Sequence, residues 1–183
     1  MLFVMRHGKT DWNADRRMQG KTDIPLNEEG RKMAKQAAVE YADIHFDVCF
    51  CSPLSRARET AEIFLAQRNI PIYYDDRLEE MGFGVFEGVA NSFKIPDCPI
   101  NVFFEHPENY IEPVEGGERL EDVLKRAKEF IDEVVTPLLN DNKDVLIIGH
   151  GALNHALINQ FRQAPLELFW DGEINNCKLY RLF

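Results

Sequence analysis

The sequence predicts an α/β fold of three layers, with a mostly parallel central sheet flanked by helices on both faces. Three observations predict it. Short apolar or β-branched runs alternate with longer helical patterns along most of the chain. Two of those runs end in a histidine beside glycine, as strands entering a ligand-binding sheet edge do. With 183 residues and 45% hydrophobic composition, the chain can bury a sizeable core, and 1–183 is expected to form one domain.

The strands are read in order from LFVM near the start, DVCFC, IPIYY, DVLIIGH and the closing CKLYRLF. Segments 27–42 and 53–67 read as helices, the second with Ser52 as N-cap and Pro53 at its first position. The clearest helix is 118–139, where Leu120, Val123, Ala127, Phe130, Val134 and Leu138 recur three or four residues apart. Another follows His150 through Phe161 and ends before Pro165. Between the third strand and the long helix lies a cap-like insertion at about 89–117, where Pro96, Pro99, Pro107 and Pro113 break any long periodic element.

The 31 acidic against 21 basic residues give a net charge of -10, which disfavours nucleic acid and anionic membranes as partners. Any phosphorylated ligand must then be held by locally clustered cations. The opening MLFVMRHGKT lacks a secretory signal's pattern, and no run approaches a membrane span, so the expected location is cytoplasmic. Cys49, Cys51, Cys98 and Cys177 have no chelating spacing and are expected as buried free thiols.

The first strand ends in Arg6-His7-Gly8-Lys9-Thr10. Gly8-Lys9-Thr10 matches the end of a nucleotide-binding P-loop, but Phe3 stands where that motif needs its earlier glycine. A second cluster, Ser52-Pro53-Leu54-Ser55-Arg56, follows the second strand, and a guanidinium at Arg56 can clamp phosphate oxygens. Arg58 is expected to pair with Glu62 on the same helix. The third cluster, Gly149-His150-Gly151, ends a strand and opens a helix, whose N-terminus favours an anion. His45, His106 and His155 are read as a loop, an insertion and a helix histidine without a site role.

Together these clusters resemble the signature of the histidine phosphatase superfamily. The resemblance continues through Asn13, GKTDIPL at 20–26, LEEMGFGVFEG at 78–88 and Gly116-Gly117-Glu118, nearly the whole chain in family order. It implies a phosphoglycerate mutase-like fold and a His7 nucleophile in a phosphate pocket of Arg6, Arg56 and His150, with Asn13 and the Gly151 backbone assisting. The implied chemistry needs no metal and no cofactor, apart from a bisphosphate primer if the chain is a mutase. A general acid is supplied by Glu79 or Glu80, and the family spacing to Gly84 and Glu87-Gly88 selects Glu80.

Mutases and phosphatases share this chemistry, so the insertion carries the choice. It holds one lysine, Lys94, no arginine and several acids, which favours a phosphatase acting on a small phosphorylated metabolite and water. A phosphoglycerate mutase is the alternative, and a non-catalytic phospho-ligand-binding protein a weaker one. Phe93, Ile95, Ile100, Val102, Phe103, Phe104 and Tyr110 can line a pocket or merely pack the cap onto the core. Lys9 and Lys21 are candidates for positive potential at the rim. Oligomeric state is open.

Overall fold

The structure, a computed structural model, describes residues 1–183. Its strands are β1 (Leu2–Arg6), β2 (Val48–Cys51), β3 (Ile72–Tyr74), β4 (Val145–Gly149) and β5 (Leu179–Arg181). They form a single sheet in the order β3-β2-β4-β1-β5. The first four run parallel, and β5 pairs antiparallel with β1.

Alternation along these strands builds two cores. Val4, Val48, Val145 and Ile147 face one side, packed with Val123, Phe130, Leu153 and Leu157 from helices α5 (Leu120–Phe130) and α7 (Gly151–Arg162). Phe3, Met5, Cys49, Cys51, Leu146 and Ile148 face the other, against α2 (Glu28–Glu40) and α3 (Ser55–Phe64). Side chains two apart on a strand share a face, so a nearly continuous apolar run serves both layers. No helix is long and apolar enough to cross a membrane.

Two helix expectations need correction. The helix after β2 starts at Ser55, not Pro53, and its N-cap Leu54 makes no side-chain cap. Ser52 is recruited elsewhere, with its hydroxyl 2.7 Å from His150 Nε2, while Asp23 accepts the Ser55 N–H at 2.8 Å from a distant loop. The stripe over 118–139 forms α5, then a π-helical turn (Ile131–Val135), then α6 (Thr136–Asn140). Pro137, in the first turn of α6, cannot donate to a preceding carbonyl, and the wider turn directly precedes it. Sequence reading also passed over a short α1 (Asp11–Ala14), closed by a reciprocal capping box between Thr10 and Asn13.

The insertion carries α4 (Asn101–Glu105) and 3-10 turns around it. Ile100, Phe103 and Tyr110 join the same apolar cluster as α5 and α7. Trp170 Nε1 donates to the Phe103 carbonyl at 2.8 Å, tying the cap to the segment after α7.

Candidate active site

The register of β1 on β4 pairs Arg6 with Gly149, so His7 and His150 each lie one residue beyond adjacent strand ends. The His7 N–H donates to the Gly149 carbonyl at 3.0 Å. The two rings lie 5.1 Å apart, centroid to centroid, and both are buried. His7 lines a cavity of about 510 Å³ together with Arg6, Asn13, Arg56, Glu80 and Gly151.

His7 has a defined tautomer. Its Nδ1 lies 2.6 Å from the Gly8 carbonyl oxygen, and a carbonyl only accepts, so Nδ1 carries the proton. Nε2 keeps its lone pair. Burial, then the cations of Arg56 and Arg6, hold the His7 pKa well below its ordinary value, so the ring is neutral.

Arg56 is fully buried, and its guanidinium is fixed on three sides: Nε to His150 Nδ1 at 3.2 Å, Nη1 to the Thr22 carbonyl at 2.9 Å, Nη2 to the Gly20 carbonyl at 2.6 Å. One N–H remains on each terminal nitrogen. Arg6 donates to the Ile174 carbonyl at 3.3 Å, and its buried Nε has no partner in the protein. Burying an unpaired cationic donor is costly, and an anion in the cavity would satisfy it.

Of the two adjacent acids, the structure brings Glu80 to the cavity. Glu80 Oε1 accepts from Leu153 N at 2.9 Å and Oε2 from Ala152 N at 3.1 Å, so the first turn of α7 orients the carboxylate. Glu79 points away, 3.9 Å from Lys21 Nζ. Asn13 Oδ1 is occupied by the Thr10 N–H at 3.1 Å, which leaves its amide nitrogen for the cavity it lines.

His150 departs from its expected place. It does not line the cavity but sits behind His7 with no exposed surface. Because Nδ1 accepts from Arg56, Nε2 is the protonated nitrogen and donates to Ser52 Oγ. Burial and then Arg56 depress its pKa well below the usual histidine value. Its geometry is that of a neutral bridge holding Arg56 and Ser52.

Lys9 and Lys21 do not supply the rim. Lys9 pairs with Glu29 at 2.6 Å and Lys21 lies near Glu118 at 3.7 Å, both away from the cavity. Arg16 and Arg17, from the turn after α1, line it instead. Sequence reading missed both, which lie between Asn13 and Gly20, outside the motifs that carried the resemblance. From the insertion, Phe93, Phe104, Asn101 and Glu105 reach the cavity wall, joined by Trp170. The aromatic residues of the cap thus divide: Phe93 and Phe104 line the cavity, whereas Ile100, Phe103 and Tyr110 anchor the cap.

The other histidines stand apart from the cavity wall. His45 and His106 are exposed beside Asp47 and Glu108. His155 packs on Trp170 with ring centroids 4.8 Å apart, and burial lowers its pKa to about 4. Arg58, expected beside Glu62, lies over the Tyr74 ring at 5.1 Å. The one cluster with metal-ligand spacing, His45, Asp47 and Asp144, lies at the opposite sheet edge. Lys143 and the N-terminal ammonium already neutralise its carboxylates.

Fold and site together bring a neutral imidazole, the fully buried Arg56, the partly buried Arg6 and a carboxylate around one cavity of an α/β protein. The family model of the histidine phosphatase superfamily (branch 1) matches residues 2–182, and the chain belongs to that superfamily. The phosphatase PhoE of Bacillus subtilis, described as uncharacterized, is 33% identical over 96% of this chain and 84% of its own length. Phosphoserine phosphatase 1 of Hydrogenobacter thermophilus is 30% identical over 96% of this chain and 82% of its own. A 2,3-bisphosphoglycerate-dependent phosphoglycerate mutase of Cytophaga hutchinsonii is 31% identical over 86% of this chain and 75% of its own.

Among solved structures, YhfR of Bacillus stearothermophilus superposes with a TM-score of 0.85 at 34% identity, covering 97% of this chain and 88% of that one. A mycobacterial glucosyl-3-phosphoglycerate phosphatase bound to VO3 gives 0.80 at 26% identity, over 97% and 90%. The chain is therefore an enzyme of the phosphatase and mutase class.

Proposed function

We propose that the protein is a metal-independent phosphomonoesterase that hydrolyses a small phosphorylated metabolite through a phosphohistidine on His7. The observation that carries this reading is the His7 ring itself: neutral, with Nδ1 committed to Gly8 and Nε2 unprotonated, beside the guanidinium groups of Arg6 and Arg56.

In the first step Nε2 attacks phosphorus in line with the ester oxygen, the P–O bond breaks, and protonated Glu80 gives its proton to the departing alkoxide. Arg6, Arg56 and the Asn13 amide stabilise the charge on the equatorial oxygens. In the second step Glu80, now a carboxylate, takes a proton from water as that water attacks phosphorus. The N–P bond breaks, inorganic phosphate leaves, and Glu80 is again an acid. No step draws on a metal or a cofactor. His150 acts in this scheme by holding Arg56.

Hydrolysis is preferred over mutase chemistry because the cap contributes Glu105 and no cation to the cavity, where a retained bisphosphate intermediate would need positive charge. Support for a small substrate comes from relatives named for phosphoserine and glucosyl-3-phosphoglycerate. A cytoplasmic site of action suits the four free thiols. Phosphate release from a panel of metabolite monoesters, with and without a bisphosphate primer, tests the reading. Release without primer is expected, and isomer interconversion without net phosphate would establish the mutase alternative.

A further inference from the structure

The cavity wall carries four arginines and two glutamates, although the chain as a whole has a net charge of -10. Arg6, Arg56 and Glu80 are assigned to the phosphoryl group. That leaves Arg16, Arg17 and Glu105 to face the rest of the ligand.

Arg17 is engaged, with its Nη1 donating to the Gly88 carbonyl at 2.9 Å and its Nε 3.4 Å from Asp15. Arg16 has no carboxylate partner among the ion pairs of the chain. Its backbone is nonetheless rigidly placed. The Arg16 N–H donates to the Asn13 carbonyl at 3.1 Å, and its own carbonyl accepts the Asn91 N–H at 2.9 Å. It sits at φ 55°, in the left-handed region that favours glycine. A large cationic side chain is thus kept at a position where glycine is the easier residue, and Arg16, itself exposed, lines the cavity mouth.

We infer that Arg16 determines specificity by binding a carboxylate on the leaving group, so that the substrates are phosphomonoesters of small hydroxy acids. The inference rests on the phosphatase reading for its substrate class. A guanidinium fork matches a carboxylate in two parallel hydrogen bonds, and one already paired to a protein acid could not do so. Phe93 and Phe104 would cover the hydrocarbon skeleton between the two anionic ends.

The test compares 3-phosphoglycerate with glycerol 3-phosphate, which differ by a carboxylate in place of a hydroxymethyl group. Wild-type protein should favour 3-phosphoglycerate in kcat/KM, and Arg16→Ala should cut that preference roughly tenfold, about what one charge-assisted contact contributes. Arg16→Gly should lose the preference equally while keeping or raising the unfolding midpoint, since glycine accepts the left-handed backbone.

An equal loss on both substrates would make Arg16 a general steering charge and overturn the inference. An unchanged ratio, or a wild-type preference for glycerol 3-phosphate, would also overturn it. Hydrolysis of other monoesters but not of 3-phosphoglycerate would overturn the substrate class, whereas release of phosphate from no monoester would instead contradict the phosphatase reading. The Arg16 contact is then decided separately by calorimetric binding of the two esters to His7→Ala protein, with and without Arg16→Ala.

Discussion

Arg126 donates to the main-chain carbonyl of Glu80 at 3.3 Å, and with its other terminal nitrogen to the carbonyls of Glu79 at 2.7 Å and Arg77 at 2.6 Å. Glu118 holds the same guanidinium at 2.9 Å, largely buried. The segment carrying Glu80 is therefore positioned by Arg126 of α5, itself paired with Glu118 just ahead of that helix. Replacing Arg126 with Met should lower kcat about tenfold, roughly 1.4 kcal/mol of transition-state stabilisation, with little change in KM. Arg126→Lys keeps the charge but not the fork, and should fall between. Steady-state kinetics that show a rise in KM alone would refute the positioning role.

The carboxylate of Glu80 is gripped by the N–H groups of Leu153 and Ala152. Glu80→Gln removes the transferable proton and presents an amide NH2 group to one of those donors. Turnover of esters with poor leaving groups should fall about 10²- to 10⁴-fold, with a smaller loss for nitrophenyl esters whose oxygen needs no proton. Equal losses on both ester classes would argue against Glu80 as the proton donor.

Gly20 sits at φ 58°, and a Cβ there would clash with Glu87 Oε1. Its carbonyl is also a partner of Arg56. Glu87 in turn accepts the N–H groups of Lys21, Thr22 and Phe83. Gly20→Ala should destabilise the protein by at least about 1–2 kcal/mol from the backbone alone, before the clash is counted. Urea unfolding checks the stability, and a parallel loss of activity is expected because Arg56 loses its seat.

Stability should fall with mild acid. His7, His150 and His155 all have pKa values below the ordinary histidine value, the first two well below and the third at about 4. Below the unfolded value near 6.5, the unfolded chain binds more protons than the folded one, so folding free energy is lost as pH falls. From pH 7 to pH 5.5 the three histidines together should cost stability on the order of a few kcal/mol. Urea midpoints at the two pH values measure this. Equal stability at both would show that these rings are not held neutral.

Much of this architecture was legible in the sequence because local pattern and global fold agree. The runs ending at His7 and His150 are apolar up to Arg6 and Gly149 and become the central strands β1 and β4, whose apolar residues are buried on both faces. Glu80 was separable from Glu79 through the family spacing to Gly84 and Glu87-Gly88, since the alternation of an extended segment says only that one of the two faces the cavity. What was not legible depends on partners distant in the chain. Ser52 fits an N-cap by type, but His150, 98 residues on, takes its hydroxyl. His150 looked like a cavity residue from its strand-end position, yet the side chains of Arg56 and Ser52 turn it inward. The cations of the outer cavity were sought at Lys9 and Lys21 and come instead from Arg16 and Arg17, whose turn is brought there by pairing with residues 88–91.

The central claim is the covalent step at His7. Rapid quenching during turnover of a 32P-labelled monoester should trap acid-labile, alkali-stable phosphate on wild-type protein at His7, and none on His7→Ala, which should also be inactive. Label on another residue, or full activity in His7→Ala, would contradict the account.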